Sequence, residues 1–136
     1  AVLYNNRYRT RYRPFDYLNE LAIRMSAGVA DIVISRAGST IFEIASWGLP
    51  SILIPISESH GDHQRKNAYA YARSKACVVL EESNVTPHIL MSEIDRILTK
   101  KEEGQAMSAA AKAFFRPGAA RAIAKEILSI AVKHEI

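Results

Sequence analysis

Two rhythms of apolar and polar residues alternate along this chain. Continuous apolar runs, rich in β-branched residues, fall at 32–34, 52–54 and 76–80, and predict strands over 31–35, 51–55 and 76–80. Short runs without a polar face suit strands of a parallel sheet covered on both sides. Around them the apolar spacing changes to three and four residues. Leu18, Leu21, Ala22 and Met25 predict a helix over 18–29. A second helix is predicted over 39–47, with Gly48 supplying its C-terminal turn. The polar stretch 57–61 reads as an exposed loop, and Asp62 reads as the cap of a helix running to about Lys75. Thr86-Pro87, a cap followed by proline at the first helical position, opens a helix to about Thr99. Residues 100–104 read as a charged break. Two alanine-rich helices follow, at 105–115 and 118–134, separated by Arg116-Pro117-Gly118. Upstream, 3–13 reads as a strand stopped by Pro14, with a turn at 15–17. Strands alternating with helices of this length predict an α/β fold with a doubly wound, Rossmann-like parallel sheet. The right-handed crossover rule makes parallel pairing the expectation for each strand-helix-strand unit.

Composition narrows the class. The 136 residues are 49% hydrophobic and 24% charged, which suits one globular domain with a real core. No apolar stretch approaches the roughly 20 residues that span a bilayer, and residues 1–14 lack the apolar core of a signal peptide. Cys77 is the only cysteine, so an intrachain disulfide is excluded and a buried, inert thiol is expected. These features fit the cytoplasm. Ala1 stands where an initiator methionine would, and the chain opens on what reads as a strand under way. A fragment or processed piece of a longer protein is expected.

The net charge of +4 is unevenly spread. Arg7, Arg9, Arg11 and Arg13 alternate with Tyr8, Thr10 and Tyr12, which would put four arginines on one face of an extended segment. That face reads either as a contact for an anionic membrane surface or nucleic acid, or as a charged edge strand protected against aggregation. No nucleic-acid motif accompanies it, and no nucleic acid partner is expected.

The chemistry concentrates after the first buried strand. Ser35-Arg36-Ala37-Gly38-Ser39-Thr40 places a glycine and two small hydroxyl residues where a helix begins. Free N–H groups and the positive end of the helix dipole make such a place an anion site. In open α/β sheets, ligands bind outside the carboxyl ends of the strands. Glu43 follows one turn later, where a carboxylate can accept two hydrogen bonds from a sugar diol. The combination suggests a nucleotide-sugar diphosphate. A purely structural reading also stands: Gly38 makes the turn, Ser39 or Thr40 caps, and Glu43 is a solvated acid. Asp62-His63-Gln64-Arg65-Lys66-Asn67 opens a helix on the same rim. Gln64 and Asn67 are three apart and share a helix face, and paired carboxamides suit sugar hydroxyls. The structural alternative is a polar first turn facing water, with His63 an ordinary surface histidine. His60, Asp62 and His63 lack a fourth ligand at zinc spacing, and His88 and His134 read as surface residues, so no metal site is expected. Neither a Gly-x-Ser-x-Gly elbow nor a Walker loop occurs, and Ser35 has no nearby base, so no catalytic residue is assigned.

The segment SRAGSTIFEIASWGLPSILIP followed by DHQRKNA resembles the C-terminal, donor-binding domain of the peptidoglycan N-acetylglucosaminyltransferase (MurG) family. The resemblance runs from about Tyr12 to the C-terminus and is strongest over 30–70. It implies the C-terminal half of a two-domain GT-B fold. It also implies inverting transfer of GlcNAc from UDP-GlcNAc to lipid I, undecaprenyl-pyrophosphoryl-MurNAc-pentapeptide, without a cofactor or a catalytic metal, at the cytoplasmic face of the inner membrane. Carried over by position, the phosphate-facing loop falls on Gly38, Ser39 and Thr40, with Arg36 beside the diphosphate. The ribose-holding acid falls on Glu43, and the residues reading the GlcNAc hydroxyls fall on Gln64 and Asn67. The uracil-contacting stretch falls near 15–18. Three departures accompany the resemblance. The loop between Arg36 and Glu43 is one residue shorter than in many members. The glycine-rich loop that opens the donor domain is missing, and so is the acceptor domain that would engage lipid I. A single nucleotide-sugar-binding domain over 1–136 is therefore expected, as a piece or split half of the enzyme and inactive alone. Another UDP-sugar GT-B enzyme of the epimerase kind, or a non-catalytic nucleotide-sugar-binding domain, remains open at this point.

Overall fold

The computed structural model describes residues 9–57 and 60–133. Three short strands, β1 (Val33–Ser35), β2 (Ser51–Leu53) and β3 (Cys77–Val79), pair in parallel in the order β1-β2-β3. Val33, Ile34 and Ser35 register with Ser51, Ile52 and Leu53, which register in turn with Cys77, Val78 and Val79. The helices are α1 (Glu20–Val29), α2 (Thr40–Trp47), α3 (His63–Arg73), α4 (Pro87–Thr99), α5 (Lys101–Phe114) and α6 (Ala119–Lys133). Helix α2 links β1 to β2, and α3 links β2 to β3.

Alternation along each strand sorts the side chains into two apolar layers. Val33, Leu53, Cys77 and Val79 pack with Ile41, Ile44 and Ala45 of α2 and with Ala68 and Tyr71 of α3. Ile52, with Ile32, Ile54, Val78 and Leu80 beside it, packs on the other face with Ile97 and Ile94 of α4. Helix α5 serves both layers, giving Ala111 to the first and Met107 to the second. Helices therefore cover both faces, the doubly wound arrangement that continuous apolar strands predict. Ile44, Ile52 and Leu53 are wholly enclosed, and each contributes roughly 1.5–3 kcal/mol by burial. Ile34 is the exception at 42% exposed, because β1 is an edge strand among the described residues. Phe114 joins the layers of helices: its ring meets Tyr71 edge-on at 4.8 Å and stacks near Phe42 at 6.5 Å.

Local signals hold at several boundaries. Gly48 ends α2 with φ 68°, the left-handed turn that glycine adopts without strain. Thr86 caps α4 by accepting from the Ile89 N–H at 3.2 Å, with Pro87 at the first helical position. Three expectations need correction. Residues 100–104 are not a break. Helix α5 begins at Lys101, with only Lys100 between it and α4. Glu102 and Glu103 lie in its first turn, where carboxylates favour the helix dipole, and Glu103 pairs back onto Arg96. Gly104 permits the close approach, since a Cβ there would lie 3.1 Å from the Ile97 carbonyl oxygen. Asp62 stands at the start of α3 but makes no capping bond. Its φ of 58° is left-handed, whereas a capping side chain needs an extended backbone. Its carboxylate lies 3.9 Å from Arg65 instead. Residues 9–11 form a 3-10 turn rather than part of a strand. A turn with three residues per revolution cannot hold the period-two arginine face. Arg7 and the rest of 3–8 lie outside the described residues.

Candidate functional site

The loops leaving β1, β2 and β3 share one rim, because the strands are parallel. Ser39 precedes α2 with φ −62° and ψ −21° and gives no side-chain cap. The structural reading in which Ser39 caps the helix is thereby removed. Ile41 and Phe42 N–H groups bond back to the Gly38 and Ser39 carbonyls at 3.4 and 3.0 Å. The N–H groups ahead of them stand at the positive end of the helix without an intrahelical partner. Gly38 is not in the left-handed region, and a Cβ built on it meets nothing within 4 Å. Among the described residues, neither strain nor packing demands glycine there. The open space above it lets a ligand approach the backbone closely.

Each remaining predicted residue is placed by a specific contact. Asn67, on the first face of α3, donates from Nδ2 to the Ala37 carbonyl at 3.2 Å. It thereby ties α3 to the loop that holds Gly38. Gln64, one turn earlier, accepts from the Ile56 N–H at 3.1 Å and so holds the chain leaving β2. Arg36 turns toward the other strands. It donates from Nη1 to the Ile54 carbonyl at 3.2 Å and from Nη2 to Glu82 at 2.6 Å. Glu43 stands apart from these three. It is exposed and lines a cavity of about 580 Å³ with Tyr17, Leu18, Glu20, Ile23, Arg24, Ser46 and Trp47. The structure thus joins Glu43 to the 15–18 stretch, through Tyr17 and Leu18. It joins Arg36, Gln64 and Asn67 to the strand-end loops. Asn19 caps α1 beside that cavity by accepting from the Ala22 N–H at 2.9 Å.

Two acids escaped the reading of motifs. Glu82 accepts from Arg36 on one oxygen, and from the Ser57 N–H and hydroxyl on the other at 3.1 and 3.2 Å. These bonds, the Ser57 N–H first and Arg36 next, hold its carboxyl below the usual carboxylate range. Glu81 accepts from the Tyr69 hydroxyl at 2.7 Å and from Arg65 at 3.1 Å. The Tyr69 bond is the larger cause of its lowered pKa. The available signal was two consecutive acids directly after the third apolar run, at the carboxyl end of a strand on the ligand rim. Among the described residues, no group of three His, Cys, Asp or Glu is placed to hold a metal.

Comparison with known proteins gives a consistent family. The sequence profile of the glycosyltransferase family 28 C-terminal domain matches residues 2–123. The chain is 40% identical over 100 residues to the UDP-N-acetylglucosamine--N-acetylmuramyl-(pentapeptide) pyrophosphoryl-undecaprenol N-acetylglucosamine transferase of Listeria welshimeri. That match covers 73% of this chain and 28% of the relative. It is 38% identical over 116 residues to the protein of the same description from Moorella thermoacetica, covering 85% of this chain and 30% of the relative. The fold matches the crystal structure of Acinetobacter baumannii MurG with a TM-score of 0.73 at 25% identity, over 85% of this chain and 33% of that one. The chain therefore spans about a third or less of the length of the relatives it matches.

Proposed function

The chain belongs to the glycosyltransferase family 28 C-terminal domain family, and from that membership we propose that it is the donor-binding part of an inverting transferase. The donor is UDP-GlcNAc and the acceptor is undecaprenyl-pyrophosphoryl-MurNAc-pentapeptide, the conversion of lipid I to lipid II. The observation that carries the reading is the uncapped start of α2 beneath the open space at Gly38. A diphosphate seated there meets the N–H groups of Gly38, Ser39 and Thr40 and the positive end of the helix. The uridine then lies in the cavity with Tyr17 and Leu18, and Glu43 accepts from the ribose hydroxyls. The GlcNAc extends toward Gln64 and Asn67 on α3.

The chemistry follows from this seating. Displacement at the anomeric carbon leaves negative charge on the departing UDP. Fixed backbone donors and the dipole of α2 stabilise that charge as it develops, with no reorganisation at the moment of reaction. Arg36, braced by Glu82 and the Ile54 carbonyl, adds positive charge at the same rim. We assign no base to these residues. The base and the lipid I contacts belong to the acceptor side of the whole protein, which we place at the cytoplasmic face of the inner membrane. No helix among the described residues is long and apolar enough to cross a membrane.

Titration of UDP-GlcNAc into the protein, followed by amide chemical shifts, tests the donor site. Shifts centred on 36–43 and 62–67 are expected, with the cavity residues Leu18 and Trp47 moving for UDP and UMP alike. Shifts confined elsewhere, or none at millimolar nucleotide, overturn it. Product analysis with a lipid I analogue and the full-length protein separates transfer from epimerisation of the donor. GlcNAc transfer by the 136 residues alone would contradict the division of labour, because transfer requires both substrates held together.

A further inference from the structure

We propose that Glu82 is a positioning residue that sets both Arg36 and Gln64 for the donor through the segment 54–57, an inference that rests on the donor-binding reading. Four bonds converge on that segment. Arg36 holds the Ile54 carbonyl, Gln64 holds the Ile56 N–H, and Glu82 holds Ser57 through its N–H and its hydroxyl. Glu82 also holds Arg36 directly. One carboxylate at the end of β3 therefore fixes the guanidinium leaving β1 and the chain leaving β2. Ser57 is the residue next to Ile56, so the anchor on Ser57 fixes the N–H that orients the Gln64 carboxamide. Glu82 touches neither Gly38 nor the Glu43 cavity among the described contacts. Its influence falls on the diphosphate and the sugar, and leaves the nucleoside alone.

The division predicts a ligand-dependent result that loss of fold stability would not give. Affinities of the full-length protein for UMP, UDP and UDP-GlcNAc are measured by calorimetry, beside thermal melts. Glu82→Ala is expected to leave UMP affinity unchanged and to weaken UDP about tenfold, the size of one lost charge-assisted contact. UDP-GlcNAc is expected to weaken further, so that the preference for UDP-GlcNAc over UDP narrows. Glu82→Gln keeps an oxygen for Ser57 but removes the charge that holds Arg36. It is expected to restore the preference for UDP-GlcNAc while UDP itself stays weaker than in the wild type. Equal losses for all three nucleotides in both variants would reduce Glu82 to a structural role and overturn the proposal, as would no loss at all. Wild-type protein that binds none of the three overturns the donor-binding reading itself, and the role of Glu82 with it.

Discussion

Glu43 and Asn67 stand on helices that begin at one rim, yet their side chains are committed very differently. Glu43 faces the cavity between α1 and α2, and no bond from another residue holds its carboxylate among the described residues. Asn67 is partly buried and spends a donor on the Ala37 carbonyl. Gln64 and Arg36 resemble Asn67 in this respect, each tied to a backbone group of a neighbouring strand end. One half of the rim thus presents a carboxylate that no other described residue holds. The other half uses the same side chains to build the loops and to present them. A substitution on the first half should change affinity alone, whereas one on the second should change affinity and stability together.

The largest expected effect is at Asn67. Asn67→Asp removes the Nδ2 donor and sets a carboxylate oxygen against the Ala37 carbonyl, at a position that is partly buried. An unsatisfied buried acceptor costs about 1–3 kcal/mol. Melting should fall on the order of 3–10 °C for a domain of this size, with UDP-GlcNAc affinity falling as well. A melt unchanged by Asn67→Asp would erase the distinction between the two halves.

Glu43→Gln should do the reverse. It removes the charge and puts an NH2 where one acceptor stood, so UDP should bind about tenfold more weakly or worse. The melt should stay where it is, since Glu43 is exposed and packs into no core. If Glu43 only complements the α2 dipole, an effect of about 0.3–1 kcal/mol on stability, a small loss of melting temperature would appear instead, with UDP affinity intact.

Gly38→Ala sharpens the contrast with the opposite sign. A Cβ at Gly38 meets no atom within 4 Å among the described residues, and its backbone is not left-handed. Stability should rise by about 0.4–1 kcal/mol, because alanine restricts the unfolded chain more than glycine does. UDP affinity should fall, since the methyl group occupies the space above the N–H groups. A variant that melts higher and binds UDP as before would remove the close-approach argument for this glycine.

The fold was legible where one residue type leaves the chain a single choice. Ile52 and Leu53 face opposite layers and are both enclosed, so a run with no polar face was a sound sign of a doubly covered strand. Gly48 and Thr86 were readable because a left-handed turn and a side-chain cap are local chemistry. Helix α5 was misplaced because Lys101, Glu102, Glu103 and Gly104 look solvated and broken until Arg96 and Ile97 of α4 stand beside them. Asp62 was misread because its left-handed backbone is set by the turn with Gly61, which also has a positive φ. The local chemistry of the candidate site is partly legible in the same way. The helix start at 38–40 and the carboxamide pair carry their chemistry in short motifs. The partners that position them do not, because Ala37, Ile54 and Ile56 act through backbone atoms that any residue would supply.

The smallest expected effect is the acid sensitivity of the committed half. The Glu81 and Glu82 carboxyls titrate below their ordinary value of 4.5 in the fold. Tyr69 is the main cause for the first, and the Ser57 N–H for the second. Below pH 4.5 the unfolded chain binds protons that the fold still refuses, so stability rises with pH in that window. The contribution is complete above pH 4.5 and is lost as pH falls through the lowered values of the folded state. Both groups are close to solvent, so the effect is screened and should shrink further in high salt. Melts of the wild type between pH 3 and 6 should therefore fall on the acid side, more steeply at low ionic strength. In Glu81→Gln/Glu82→Gln that acid limb should flatten, because neither amide titrates. An acid limb identical in the double variant would mean that these bonds are not retained in solution. The bracing of Arg36 and Ser57 by Glu82 would then lose its physical basis, and the committed half of the rim would rest on the bonds of Asn67, Gln64 and Arg36 to backbone groups alone.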